Sequence, residues 1–502
     1  METPILQEEI EQSLSSTDEK QLQIFSPLDL KIRELFPGEA INKRLTKTGL
    51  LTSRSLPAFV SDWLIQKFEK DNEVDSVGLQ RFLDTFLPDK SRAEEVKHRL
   101  MYDRARVKIL ADFRVTPDIK SGEERLEIPI LDVSGREAMV DPEILSTCPD
   151  LLNGGSWGVG ELLYIPRERT NDGRIILKGF KPFRPYTVNL DYYRRARTHF
   201  EAPMEWIDCL IKCMEYDPIS FKSSQQKIAM ITRLLPFVEP RINLIELAPK
   251  GTGKSYVFGR LSRHGWLISG GSVSRAQLFY DIAKQRRGII TRFDFVALDE
   301  IQTIKFQNPE EIIGALKGYL EAGTYNVASY RGEADAGLVI LGNIQLSNTN
   351  RPVNQIYTDE LPSFMREAAL IDRFHGFIEG WELPRITVGS ITSGYALNSE
   401  FFSEVLHELR KDTIPAGIVD KLIIVPPKAD KRDTTAVKRL ATGFLKLLFP
   451  QVRTIKDINP KDFETYCFNP AFQMREVIRR QLHLMDEEFS EEMPDLEIQR
   501  VG

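Results

Sequence analysis

The sequence predicts an α/β fold with a parallel sheet at its centre, preceded by a helical region and a small β-rich region and followed by more helix. Three observations predict it. The run Ile242–Leu247 is apolar enough for a buried strand and feeds directly into Ala248, Pro249, Lys250, Gly251, Thr252, Gly253, Lys254 and Ser255. A second apolar run, Phe293–Leu298, ends in Asp299 and Glu300, and a third, Leu338–Leu341, ends in Gly342 and Asn343. From the first of these to about Ile386, strands and helices alternate as in a parallel βαβ sheet.

At 502 residues the chain exceeds what one hydrophobic core usually supports, so about three domains are expected. Apolar content of 42% and charged content of 28% are ordinary for a globular protein. The net charge of -6 gives no global attraction to nucleic acid or anionic membrane, so any such binding must come from local patches. Cys148, Cys209, Cys213 and Cys467 are too few for a disulfide scaffold and read as reduced, buried thiols. The N-terminus lacks a basic region followed by an apolar core, and no long uncharged apolar run occurs. A cytoplasmic protein without a membrane partner is therefore expected.

Residues 1–26 are acidic and polar and read as a flexible arm. Residues 27–106 carry helical periodicity, with Leu64, Ile65 and Phe68 followed by Leu79, Phe82, Leu83 and Phe86. Over 107–196 the pattern shifts to short β-like runs, VKILADF, RLEIPIL, GVGELLYIP and GRIILKGF, with Asp172-Gly173 as the strongest hairpin signal. Basic residues crowd the end of this β-domain, among them Arg174, Lys178, Lys181 and Arg184, interleaved with Phe180, Phe183, Tyr186, Tyr192 and Tyr193. Two readings stand: a nucleic-acid-binding face, with cations for phosphates and rings for stacking, or a basic linker whose aromatics pack on the next domain. Residues 197–395 are expected to form the α/β core, and 396–502 a helical lid and tail.

The stretch from Ala248 to Ser255 has the spacing of a phosphate-binding loop, with Ala248 in place of the usual first Gly. In such a loop Gly251, Thr252 and Gly253 turn backbone N–H groups towards an anion, Lys254 neutralises the β- and γ-phosphates, and the Ser255 hydroxyl coordinates Mg²⁺. ATP and Mg²⁺ are the expected cofactors. Asp299 would hold Mg²⁺ and Glu300 would orient and polarise the attacking water. Asn343 can hydrogen-bond the γ-phosphate or that water, or simply complete a Gly-Asn turn. Arg373, just after an apolar segment, either reaches a neighbouring subunit's phosphoryl group or pairs with Asp372 or a nearby acid.

Four such elements in this order, on an α/β core followed by helices, resemble an AAA+ ATPase. Longer runs sharpen the likeness: RINLIELAPKGTGKS, LISGGSVSRAQLFYDIA, FDFVALDEIQTIKF, LVILGNIQ and AALIDRFHGFIEGWELPRI. With LFPGEAINKRL and LLNGGSWGVGELLY upstream and VKRLATGFLKLLFP and AFQMREVIRRQL downstream, the chain resembles the Lon-related AAA+ proteins of BREX phage-defence systems, the BrxL family, over about residues 27–485. The resemblance implies a homo-oligomeric ATPase ring, a hexamer or double hexamer, that binds duplex DNA and acts with other BREX-system proteins. It also implies a basic lid residue at the nucleotide, for which Lys438 and Arg439 are candidates and Arg439 is preferred. Modest differences from the family are Ala248 and Lys250 in the phosphate loop and an expected hairpin around Thr324–Gly337, whose Arg331 would project into a central channel. Longer family members carry a Lon-like C-terminal domain with a Ser nucleophile and a Lys base. This sequence leaves about 50 residues beyond Leu448, short of a typical domain, so a short form without peptidase activity is expected. Two alternatives remain: an ATP-gated ring that recruits partners or blocks phage replication, and an unfoldase with Tyr319 or Tyr325 at its pore.

Overall fold

The structure, a computed structural model, describes residues 25–52, 56–70, 73–87, 90–118, 122–152, 155–166, 173–182, 188–283 and 285–499. Most of the expected arm, and Arg167, Arg169, Asp172, Phe183, Arg184 and Tyr186 of the basic stretch, lie outside the described residues. The chain divides into two compact units, one of Leu45–Leu56 with Trp63–Tyr186, the other of Met1–Arg44, Pro57–Asp62 and Thr187–Gly502.

In the first unit, helices α1 (Ser76–Phe86) and α2 (Ala93–Met101) precede a closed barrel of β1 (Val107–Asp118), β2 (Glu123–Glu127), β3 (Ala138–Val140), β4 (Ser156–Ile165) and β5 (Arg174–Pro182). Alternation drives the strands. Val107, Ile109, Ala111, Phe113 and Val115 of β1 all face the barrel core, beside Leu126, Leu162 and Leu177. Gly160 of β4 has no room for a side chain, because a Cβ there would land on the Phe113 ring. The strands run β1-β2-β3-β5-β4 and close on β1, with β3 and β5 parallel and a helix, α3 (Pro142–Thr147), between β3 and β4. That order is the Greek-key barrel of the OB fold.

The second unit is built on an all-parallel five-stranded sheet. Its strands are β6 (Leu244–Leu247), β7 (Gly265–Ser269), β8 (Phe295–Asp299), β11 (Gly337–Gly342) and β12 (Gly376–Glu379), in the order β7-β8-β11-β6-β12. Between β8 and β11, helix α7 (Pro309–Ala322) leads into an antiparallel hairpin of β9 (Thr324–Val327) and β10 (Tyr330–Glu333). Every residue of β6, β8 and β11 is buried, as parallel strands covered on both faces require. Helices α4 (Pro203–Cys213) and α5 (Ser224–Thr232) enter the sheet, and α6 (Lys254–Arg260) follows β6. After β12 come α8 (Ser399–Lys411), α9 (Lys431–Leu448) and α10 (Asn469–Met485). This is an AAA+-like α/β fold.

The domain boundaries differ from those expected. Residues 27–106 do not form one helical domain. The helix Pro27–Leu35 belongs with the parallel sheet, its Asp29 held 2.8 Å from Lys212 of α4, whereas α1 and α2 belong with the barrel. Periodicity reports that a helix buries one face but not what covers it. The helices after 396 likewise share a compact unit with the sheet. Arg475 of α10, fully buried, reaches Asp433 of α9 at 2.7 Å, Asp372 at 2.6 Å and the carbonyls of Asp372 and Phe374, which tie α10 to the start of β12.

One buried carboxyl makes stability depend on pH. Burial, only partly offset by Arg263 and reinforced by Glu404 and Asp62, pushes Glu400 of α8 up from 4.5 to about 7. The folded protein thus holds a proton that the unfolded chain releases, so this contribution is full below 4.5 and is lost as pH rises through 7. Glu400→Gln is expected to melt like the wild type at pH 4 and to be more stable by about 1–2 kcal/mol at pH 8, read from urea unfolding at the two pH values.

Candidate active site at the carboxyl edge of the sheet

The loop after β6 turns at Gly251 and Gly253, whose φ values of 87° and 82° lie in the left-handed region that glycine alone adopts freely. A Cβ on either would press on a neighbour, Arg385 at Gly251 and Tyr216 at Gly253. Lys254 opens α6 and is 8% exposed. Its Nζ donates to the Ala248 carbonyl at 3.2 Å and to Asn343 Oδ1 at 3.3 Å. Burial pulls its pKa below the ordinary value, against the pull of Glu246, Asp299 and Glu300. Ser255 is exposed beside it.

Two neighbouring strands complete the group. β11 lies between β6 and β8, so Asn343, at the carboxyl end of β11, stands between Lys254 and the end of β8. Asp299 is 2% exposed and accepts the Glu300 N–H at 2.9 Å, while Glu300 is exposed, with φ of 50°. A left-handed backbone at a non-glycine residue costs on the order of 1 kcal/mol and persists where the surroundings enforce it. Gln302 provides part of that enforcement: its amide bonds both the N–H and the carbonyl of Asn343, at 3.3 and 2.8 Å, and clamps the two strand ends together. Sequence reasoning missed Gln302, which stands two residues past the acidic pair. The buried Asp299 carboxylate and the Ser255 hydroxyl are hard oxygen donors that suit Mg²⁺.

Two expected residues sit elsewhere. Arg373 precedes β12, so in a parallel sheet it lies at the amino edge, opposite Lys254. It pairs with Glu321 of α7 at 3.1 Å and donates to the Ala369 carbonyl. Arg439 is also at the amino edge, donating to the carbonyl of Pro240 ahead of β6 at 2.9 Å, and Lys438 pairs with Asp420. Neither is brought to the phosphate loop, because these contacts hold Arg439 at the segment that enters β6 rather than the loop that leaves it, and hold Lys438 on Asp420. Besides Lys254, basic residues at the carboxyl edge include Arg385, against Gly251, and Arg480 of α10, 3.1 Å from Glu379 at the end of β12. The run Leu-Pro-Arg-Ile after a strand was the available signal for Arg385.

The expected hairpin is β9–β10, with Arg331 exposed. A second antiparallel pair, Tyr280–Asp281 with Arg286–Arg287, stands beside it, and Tyr280 stacks on Tyr330 at 3.7 Å with 6° between the rings. Arg286 and Arg287 are exposed, so the paired hairpins share a basic surface. Tyr319 and Tyr325 are buried, 2% and 1% exposed, which removes both as pore aromatics. In the barrel, Arg174 is neutralised by Glu123 at 2.6 Å and Lys178 by Asp141 at 2.8 Å. Lys181 is exposed and lies near Lys67, whose ammonium sits over the rings of Trp63 at 5.0 Å and Phe82 at 4.2 Å.

His264, Asp294 and His407 bring potential metal ligands within 4.8 Å of one another, but the two imidazoles stack in parallel at 4.0 Å, so their lone pairs do not converge. Arg410 already stands 3.6 Å from Asp294, and the group reads as an ion-paired junction between the sheet and α8.

Residues 175–495 match the family model "Lon-like protease BrxL-like, ATPase domain", and residues 34–164 match "BREX system Lon protease-like protein BrxL N-terminal". The chain belongs to the BrxL family. The BrxL ATPase-domain match contains the parallel sheet and every residue gathered at its carboxyl edge. "Lon-like protease BrxL" of Escherichia coli is 29% identical over 462 residues, covering 91% of this chain and 64% of that protein. "Lon-like protease BrxL" of Bacillus cereus is 27% identical over 439 residues, covering 86% of this chain and 64% of that protein. The chain thus spans 64% of the length of these curated BrxL relatives. Among the described residues no helix is long and apolar enough to cross a membrane.

Proposed function

We propose that this chain is an ATP hydrolase that works as a ring of identical subunits, closes on or moves along duplex DNA, and acts with other BREX proteins in phage defence. The observation that carries the reading is the convergence of Lys254, Asn343, Asp299 and Glu300 on three adjacent strand ends. Lys254, released from the Ala248 carbonyl, neutralises the β- and γ-phosphates, and Asn343 holds the γ-phosphate or the attacking water. Ser255 and Asp299 hold Mg²⁺, which supplies charge neutralisation when bound. Glu300, exposed and fixed by its left-handed backbone, accepts hydrogen bonds from the water and aims it in line. Arg373 cannot serve its own subunit's phosphates from the opposite edge of the sheet. It would serve a neighbour's, after leaving Glu321, so hydrolysis depends on assembly.

For DNA, three features support the reading: the OB-type barrel, the Lys67–Lys181 group over Trp63 and Phe82, and the basic paired hairpins with Arg286, Arg287 and Arg331. Fluorescence anisotropy with duplex DNA between about 50 and 200 mM salt tests it. Binding is expected to weaken steeply with salt, and Arg287→Ala with Arg331→Ala to reduce the slope of log affinity against log salt by about 2. Salt-independent binding, or an unchanged slope in the double variant, would reject this phosphate-contacting surface.

A further inference from the structure

In a phosphate-binding loop the backbone N–H groups must face the anion, and in a trans peptide each N–H points opposite to the preceding carbonyl. Holding a carbonyl outward therefore aims the next N–H inward. Three successive carbonyls of this loop are held in this way. The Ile386 N–H donates to Gly251 at 2.8 Å, Arg233 Nη1 donates to Thr252 at 2.8 Å, and the Tyr216 hydroxyl donates to Gly253 at 3.4 Å. Among the described residues, no protein group accepts from the N–H of Thr252, Gly253 or Lys254, the three that follow.

Arg233 is the charged member of this set and the most enclosed. It ends α5 and is fully buried. Its Nε and Nη2 grip both oxygens of Glu246, at 3.0 and 2.5 Å, and Glu246 is fully buried on β6 itself. The fork is thus fixed to the strand that carries the loop, which leaves Nη1 aimed at Thr252. A guanidinium on a carbonyl polarises that peptide and strengthens its N–H as a donor. A lysine ammonium gathers its three donors at one point and lacks the planar fork, so it cannot place them where Nε, Nη2 and Nη1 separately meet the two Glu246 oxygens and the Thr252 carbonyl.

We infer that Arg233, locked by Glu246, is a positioning residue for the bound nucleotide: it sets the Thr252–Gly253 peptide so that the Gly253 N–H meets phosphate. The inference rests on the proposed nucleotide site and adds a residue from outside the loop motif.

The test is ADP affinity by isothermal titration calorimetry on the full chain, for the wild type, Arg233→Lys, and the double variant Arg233→Met with Glu246→Leu. Replacing a buried ion pair by apolar groups of similar size is often neutral for stability, so the double variant is expected to melt like the wild type without ligand. Both variants are expected to bind ADP about 10- to 100-fold more weakly, the effect of losing one charged hydrogen bond. ADP binding as tight as the wild type's by either folded variant would overturn the inference. If the wild type itself fails to bind ADP, the nucleotide site is at fault and the positioning role falls with it.

Discussion

Glu300→Gln is expected to bind ATP as the wild type does and to hydrolyse it about 10²- to 10⁴-fold more slowly. Gln keeps the size of Glu300 and a carbonyl oxygen, so the exposed, left-handed position is preserved, and Gln302 continues to hold Asn343. What is lost is the negative charge that draws a proton from the attacking water. Lys254→Ala is expected to fail earlier, at binding, because its ammonium is the only cation in direct contact with Asn343 at this edge among the described residues. Comparing phosphate release with ATP affinity for both variants separates the steps. A Glu300→Gln protein that turns over at the wild-type rate would reassign the base.

The second large effect concerns folding. Lys43, 1% exposed, donates to both oxygens of Asp62 at 2.9 and 2.7 Å, to Glu215 at 3.0 Å and to Ser399 at 3.0 Å. Burial alone would lower its pKa, but Asp62 and Glu215 hold it above the ordinary lysine value. Glu215 in turn accepts from the hydroxyl of Tyr256 on α6, so the cluster abuts the phosphate loop's own helix. Lys43→Met leaves the buried Asp62 carboxylate and the partly buried Glu215 carboxylate without their cation. Breaking such a group by removing one partner costs about 3–5 kcal/mol. A clear fall in melting temperature is expected for Lys43→Met, against no measurable change for Arg92→Met, whose pair with Glu95 is exposed. Equal melting of the two variants would mean that the buried cluster contributes nothing net.

How far the sequence could lead depended on whether the signal was local. The strand–loop–helix around Lys254, and the strands ending at Asp299 and Asn343, carry their chemistry within a few residues, and the structure brings those three together. The β9–β10 hairpin was legible for the same reason. Arg439 was expected at the nucleotide only because the resemblance implies a basic lid residue there; its own sequence does not say which edge of the sheet α9 meets, and the side chain meets Pro240. Gln302 and Arg233 act across the fold on Asn343 and Thr252, and nothing in their own neighbourhoods marks them, whereas Arg385, against Gly251, had the Leu-Pro-Arg-Ile run as its one local signal. Arg174 and Lys178 stood out as cations because their partners, Glu123 at the start of β2 and Asp141 just past β3, are distant in the chain and meet them only in the folded barrel. Tyr319 and Tyr325 were similarly ambiguous until burial placed them in the core.

The central claim is that each site is half of a shared one, with Lys254, Asp299 and Glu300 on one subunit and Arg373 on the next. Its most direct test is ATP hydrolysis, with duplex DNA present, by mixtures of Lys254→Ala and Arg373→Ala subunits that are each inactive alone. Mixing is expected to restore part of the wild-type rate, because some interfaces then pair an intact Lys254 with an intact Arg373. A mixture no more active than its two components would contradict the shared site and leave Arg373 as the partner of Glu321 alone.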